Sequence, residues 1–371
     1  MKALAVGGSG EGVAAKITFW RMSSVIERAG SWFLRSGIQE TSGGVARYYR
    51  SDLEKNATIS NEITGYAVSA LAYLHGLTGA AEYRDAALRA ACFLMTSAWD
   101  GECEIFPFEY PSNGLAYFFD CGIIVRGLLS AWRLSGDEVY LCSAVKGGRA
   151  MLKNFGFPAA PAAPIVALPG KKALAFAPRW SATPGCYQLK AALAWRQLGL
   201  ITGEAGFRQA YEDSLAAALK DAGHFLPGAI ERDTVMDRLH PFCYFLEGLL
   251  PVVNRLECAA AYRQGLELVA QLLREIEPQF VRSDVYAQLL RLRLYGHALG
   301  IAPLDQPAAA YEADQAAGFQ MTSPDRRIDG GFGFGRKQGA QLPYVNPVST
   351  AFCLQALALW EGASTNVDEL I

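Results

Sequence analysis

Three carboxylates, Glu62, Asp120 and Asp284, open three stretches that are otherwise almost wholly apolar. Cleaving a bond between sugars typically takes one carboxylic acid and one carboxylate on either side of it. Carboxyls at equivalent places in a symmetric scaffold could provide that pair. The first turn of a helix stabilises the ionised form, so all three are expected to have low pKa values. That suits a base or nucleophile better than an acid, unless aromatic burial raises one of them. His240 precedes Pro241 at the start of a fourth stretch and could move a proton instead, as an epimerase or lyase requires. These four are the catalytic candidates.

The same helix starts carry aromatic and hydrogen-bonding side chains: Tyr66, Tyr117, Tyr187, Gln188, Tyr244, Gln288, Tyr344 and Asn346. The preceding loops add Arg47, Tyr48, Glu109, Tyr110, Arg179, Trp180, Asp237 and Phe332. Tyrosine and tryptophan rings stack on the C–H faces of sugars, and amides and carboxylates reach adjacent hydroxyls. The mixture suits a hydroxyl-rich ligand better than a lipid. Taken singly, each residue also has a structural reading, as a cap or a packing group.

Helices must hold these groups. One set of stretches is amphipathic, at 14–37, 81–97, 137–154, 204–221, 257–275 and 306–319. The other is apolar nearly all round, at 62–77, 120–134, 186–201, 241–253, 284–298 and 347–361. A helix with one wet face belongs outside, and one apolar on every side is buried on every side. A phrase joins inner to outer stretches: Thr78-Gly79 before Tyr83, Ser135-Gly136 before Tyr140, Thr202-Gly203 before Phe207. Glycine ends the first helix in a left-handed conformation, and the aromatic anchors the next. The expected fold is therefore all-α, an (α/α)6 toroid of six helical hairpins.

Connections from outer to inner stretches are long, and they gather at the N-termini of the inner helices, where function concentrates on such scaffolds. Pro184, Pro241 and Pro347 follow capping residues and are expected at three inner-helix starts. The expected organisation is a flexible tail over 1–13, one toroid over 14–362 and a C-terminal tail over 363–371.

Lys plus Arg number 34 and Asp plus Glu 36, a net charge of −2 without a basic face. Nucleic acid is not an expected partner. No run is long and apolar enough for a membrane span. The eight cysteines form no CxxC pair, and most lie in apolar stretches, so they read as reduced core residues. With the Gly-rich N-terminus MKALAVGGSGEGVAAK, which is not a secretory signal, this points to the cytoplasm. No HExxH, P-loop, GxSxG or dinucleotide fingerprint is present, and neither a metal nor a cofactor is expected. The segment DGGFGFG at 329–335 reads as a turn passing close over the pocket.

The segments EITGYAVSALAYLHGLTG, FDCGIIVRGLLSAWRLSGDEVYL, HPFCYFLEGLL, SDVYAQLLRLRLYG and YVNPVSTAFCLQALALW resemble those of bacterial six-hairpin glycosidase-like proteins. The resemblance runs from about residue 28 to 361. Such proteins are often encoded among polysaccharide-biosynthesis genes, and some carry the label delta-aminolevulinic acid dehydratase. That label implies a β/α barrel, which this helical pattern does not support. The resemblance implies the toroid fold and a place among hydrolases, unsaturated glucuronyl hydrolases, epimerases and lyases of sugars. Two openings depart from the family pattern, at Asp120-Cys121 and Gly185-Cys186.

The first reading is a carbohydrate-active protein, a glycoside hydrolase if catalytic, taking a sugar or oligosaccharide in the central cavity. The second is a non-catalytic polysaccharide-binding or assembly module. An epimerase or lyase working through His240 is a further reading. A terpenoid cyclase is the weakest, because DGGFGFG is similar to their Gly-Gly-Phe repeats but no DxDD or DDxxD cluster accompanies it.

Overall fold

The computed structural model describes residues 23–156, 162–177, 179–226 and 232–371. Among these, twelve α-helices alternate between an inner and an outer ring. The inner helices are α2 (Asn61–Thr78), α4 (Phe118–Ser135), α6 (Gln188–Thr202), α8 (Arg232–Leu249), α10 (Ser283–Ala298) and α12 (Pro347–Trp360). The outer ones are α1 (Ser24–Arg35), α3 (Ala81–Phe93), α5 (Glu138–Asn154), α7 (Ala205–Phe225), α9 (Leu256–Ile276) and α11 (Gln306–Ala317). Each inner helix packs on the next, and α12 closes back on α2. The architecture is the (α/α)6 toroid. In this order α2 stands opposite α8, α4 opposite α10, and α6 opposite α12.

The sequence rules explain several helix ends. Gly79, Gly136 and Gly203 all have left-handed backbones at helix C-caps, where a side chain would be strained. Tyr83, Tyr140 and Phe207 bury at the start of the next outer helix. Asn346 caps α12, its Oδ1 accepting from Val348 N at 2.8 Å, with Pro347 in the first turn. The other two prolines lie elsewhere. Pro241 sits inside α8, which begins at Arg232, and Pro184 lies upstream of α6, which begins at Gln188. The first predicted helix is shorter where it can be followed, starting at Ser24; residues 14–22 and the 1–13 tail lie outside the described residues.

Inner helices approach closely where side chains vanish. A Cβ on Gly127 of α4 would come within 2.6 Å of the Gly65 carbonyl oxygen of α2. The long connections form small sheets at the inner-helix N-termini. Tyr49–Arg50 pairs antiparallel with Tyr344–Val345 and ties the first long loop to the last.

The C-terminal residues are not a free tail. Leu370 and Ile371 are buried. The Ile371 carbonyl oxygen accepts from Lys190 Nζ at 2.9 Å and from Arg291 Nη1 at 3.3 Å. Gln355 Oε1 accepts from Ile371 N, Gln355 Nε2 donates to the Glu369 carbonyl, and Arg126 donates to the Leu370 carbonyl. Lys190 and Arg291 also hold Glu247, and all three are fully buried. Burial works against the Glu247 charge, but Arg291 and then Lys190 outweigh it and keep its carboxyl below the usual range. The charge on α8 thus has its partners on the inner helices to either side of it, α6 and α10.

Candidate functional site

A cavity of about 200 Å³ opens where the inner helices begin. Glu62, Asp120, His240 and Asp284 all line it, from α2, α4, α8 and α10. The ring order sets Glu62 across from His240, and Asp120 across from Asp284. Phe108, Tyr117, Phe119, Trp180, Tyr187 and Tyr244 supply aromatic walls, and Arg47, Arg179, Arg282, Ser181 and Asn346 supply polar ones. One turn deeper lie Tyr66 and Phe352, packed edge to face at 5.4 Å. Lys190 Nζ sits 4.6 Å from the Tyr244 ring and 4.7 Å from that of Phe352.

The three carboxyls do not behave alike, contrary to the helix-terminus expectation. Burial raises Glu62 to about 7, against the pull of Arg47 and Lys190. Burial also raises Asp120 well above its ordinary value, and the neighbouring Glu62 charge pushes it further. Asp120 Oδ2 is buried with no hydrogen-bond partner among the described residues. Two carboxyls on adjacent helices, both made harder to ionise, offer a protonated carboxyl at neutral pH. Desolvation has overcome the dipole here. At α2 the Ser60 hydroxyl already accepts from Ile63 N.

Asp284 takes the opposite course. Burial alone would raise it, but Arg282 and then His240 hold it below the usual range. Arg282 donates to it through Nε at 3.0 Å and Nη2 at 2.6 Å. Asp284 is a fixed anion whose Oδ2 lies 3.4 Å from His240 Nδ1. Gln288 Oε1 lies 2.8 Å from the same nitrogen. Burial lowers the His240 imidazole to about 4, even against the attraction of Asp284, so it is neutral near pH 7.

The remaining candidates divide by position. Tyr117, Arg179, Tyr187, Tyr244 and Asn346 line the cavity. Tyr66 is buried in the floor, and Gln288 lies behind His240. Gln188 does not face the mouth: its Oε1 accepts from Gly185 N and its Nε2 donates to the Ala162 carbonyl, so it fastens the start of α6. Tyr48 and Tyr344 pack on each other at 5.1 Å outside the lining, where the first long loop is tied to the last. Tyr110 points outward and packs on Phe93 at 5.3 Å. Of the loop residues, Arg47 is held by Glu109 at 2.8 Å and lies over Phe108. Asp237 approaches Arg282 at 3.5 Å. Phe332 is wholly buried, and the Gly-rich segment around it packs under α1: a Cβ on Gly330 would meet the Arg28 carbonyl.

Arg282 and Phe119 were not singled out in the sequence. The signal for Arg282 was present, an arginine two residues before a helix-opening aspartate. A larger cavity, about 770 Å³, lies along α6 and α7. It takes in Gln188, Asp213, Asp221 and His224 but none of the four catalytic candidates. Among the described residues no cluster of His, Cys, Asp or Glu could hold a metal ion, and no helix is long and apolar enough to cross a membrane. Six cysteines are buried, while Cys92 and Cys142 are exposed.

No protein-family model matches the chain, and no curated protein matches it in sequence. Solved structures do match in fold. Cellobiose 2-epimerase from Spirochaeta thermophila DSM 6192 superposes with a TM-score of 0.71 at 14% identity, over 90% of this chain and 94% of that one. A sugar epimerase from a ruminal bacterium gives 0.69 at 11% identity, over 91% and 97%. An unsaturated glucuronyl hydrolase specific for heparin gives 0.65 at 12% identity, over 91% and 95%.

Proposed function

We propose that this protein is a carbohydrate-active enzyme that hydrolyses a glycosidic bond at a terminal sugar unit held in the central cavity. The observation that carries the reading is the Glu62–Asp120 pair: two carboxyls on adjacent helix starts, Glu62 half-buried and Asp120 buried, with a proton available near neutral pH. A protonated carboxyl is what a leaving glycosidic oxygen needs. The cavity is small, about 200 Å³, which suits one sugar ring rather than a chain laid along a groove. Its aromatic walls offer stacking faces, and Arg47, Arg179 and Asn346 can reach hydroxyls. That the fold neighbours are named as enzymes of sugars supports the substrate class. The resemblance to proteins of polysaccharide-biosynthesis clusters favours a cytoplasmic role with substrates drawn from polysaccharide.

A second reading has its own observation. Neutral His240 stands across the ring from Glu62, an arrangement that can also move a proton on and off a sugar carbon. Aryl glycosides and short oligosaccharides, incubated in D2O, separate the two. Release of the terminal sugar supports hydrolysis. Deuterium entering a C–H position of a free sugar, without bond cleavage, would replace hydrolysis by epimerisation. Binding of sugar with neither outcome supports a non-catalytic module.

A further inference from the structure

The hydrogen bonds around His240 fix which of its nitrogens can act. Gln288 Nε2 donates to the His240 carbonyl oxygen at 3.4 Å. A carbonyl can only accept, so the Gln288 amide is oriented with Oε1 toward the ring. That oxygen lies 2.8 Å from Nδ1, with Asp284 Oδ2 at 3.4 Å from the same atom. Two acceptors converge on Nδ1, so Nδ1 carries the proton. The Nε2 atom keeps its lone pair on a ring that lines the cavity. Arg282 holds Asp284 in turn, so three side chains serve to orient one imidazole.

We infer that His240 Nε2 is the base that activates water, across the ring from the Glu62–Asp120 acid, and that the glycosidic bond is cleaved with inversion. This rests on the hydrolase reading above. The step is a single displacement. Nε2 takes a proton from water as its oxygen bonds to the anomeric carbon. The C–O bond to the leaving group breaks, and that oxygen takes its electron pair and the carboxyl proton. Imidazolium and carboxylate remain, and exchange with solvent restores both. A base and an acid on opposite walls leave room for water on the face away from the leaving group, the requirement for inversion. Gln288 is a positioning residue, since it acts through the imidazole.

Nitrogen-15 spectra of histidine-labelled protein test the tautomer without any substrate. The expected result is a protonated Nδ1 and an unprotonated Nε2 for the signal lost in His240→Gln. In Gln288→Met the Nδ1–H population falls and kcat drops about 100-fold, a typical general-base contribution, while Gln288→Glu keeps the acceptor and the tautomer. A protonated Nε2 in the parent protein overturns the inference. Proton NMR of the first-formed sugar is the second arm. The inverted anomer supports the assignment. The retained anomer overturns it and leaves hydrolysis standing, and no cleavage of any glycoside removes the hydrolase reading and the inference with it.

Discussion

Arg282 grips Asp284 through two parallel hydrogen bonds, 3.0 and 2.6 Å long, in a site almost closed to solvent. The pair makes Asp284 a permanent anion, so it is the least suited of the three helix-opening carboxyls to give up a proton. Asp284→Asn leaves a buried guanidinium with only the more distant Asp237 carboxylate, at 3.5 Å. Removing one partner of a buried pair costs about 3–5 kcal/mol. Urea denaturation is expected to show a loss of that order, and a smaller loss when Arg282→Met accompanies the change. A double variant as unstable as the sum of the singles would show that the pair is not coupled.

Glu62→Gln and Asp120→Asn are each expected to lower kcat at least 100-fold, within the usual range for a general acid, with KM little changed. Their pH profiles should differ. An acid near pKa 7 gives an activity that falls above about pH 7. The Glu62 charge is what opposes ionisation of Asp120, so Asp120→Asn should keep the limb near pH 7, while Glu62→Gln should lose it. A limb near pH 7 that persists in Glu62→Gln would take Glu62 out of the acid.

Stability carries the same signature with a definite sign. The Glu62 carboxyl lies near 4.5 in the unfolded chain and at about 7 in the folded one. Between these values the folded protein binds more protons, so stability falls as pH rises through the window. Glu62→Gln should flatten that fall, by roughly 3 kcal/mol between pH 4.5 and 7.5. Asp284 acts oppositely. Its lowered pKa adds stability above the usual carboxylate range, which is lost on acidification. Urea midpoints at several pH values for both proteins check the sign.

The ring itself was legible because helical periodicity is local. Alternating wet and dry stretches, with glycines after Thr78, Ser135 and Thr202, place inner and outer helices without knowledge of their neighbours. The mouth followed, since long connections must collect where inner helices start. The start of α8 was not legible: Pro241 reads as a first-turn residue, yet it lies well inside a helix that begins at Arg232, where it forgoes one i→i−4 hydrogen bond. Nor could one chain position reveal that Glu62 and Asp120 are held back from ionising while Asp284 is not. That difference depends on Arg282 and His240 meeting Asp284, and on what buries the other two. The buried charges were readable only in part. Lys190, Glu247 and Arg291 interrupt apolar helices in QLKAALAW, FLEGLL and LLRLRLYG, a mark of partners within the core, but their meeting point with Ile371 lies far along the chain.

Close packing of α2 against α4 depends on Gly65 and Gly127. An alanine at 127 would place its methyl 2.6 Å from the Gly65 carbonyl oxygen, and backbone cannot swing away as a side chain can. Overpacking of this kind typically costs 1–3 kcal/mol. Both helices carry a site carboxyl on their first turn, so Gly127→Ala is expected to lower kcat as well as the denaturation midpoint. Full activity with only a lowered midpoint would show that the first turns hold their spacing independently of the crossing below.

The final residues make the last prediction. Deleting 366–371 removes the oxygens that accept from Lys190, Arg291 and Arg126, and leaves Gln355 without two partners. Hydrogen bonds to charged groups contribute about 1.5–3 kcal/mol each when buried. The loss should therefore be several kcal/mol, larger than for Asn346→Ala, which removes one helix cap at about 1 kcal/mol. Lys190 also stands against the Tyr244 ring of the cavity floor. The deletion should consequently weaken sugar binding, measured by calorimetry at a temperature where the shortened protein is still folded. Unchanged affinity would mean that Glu247 alone holds Lys190 in place.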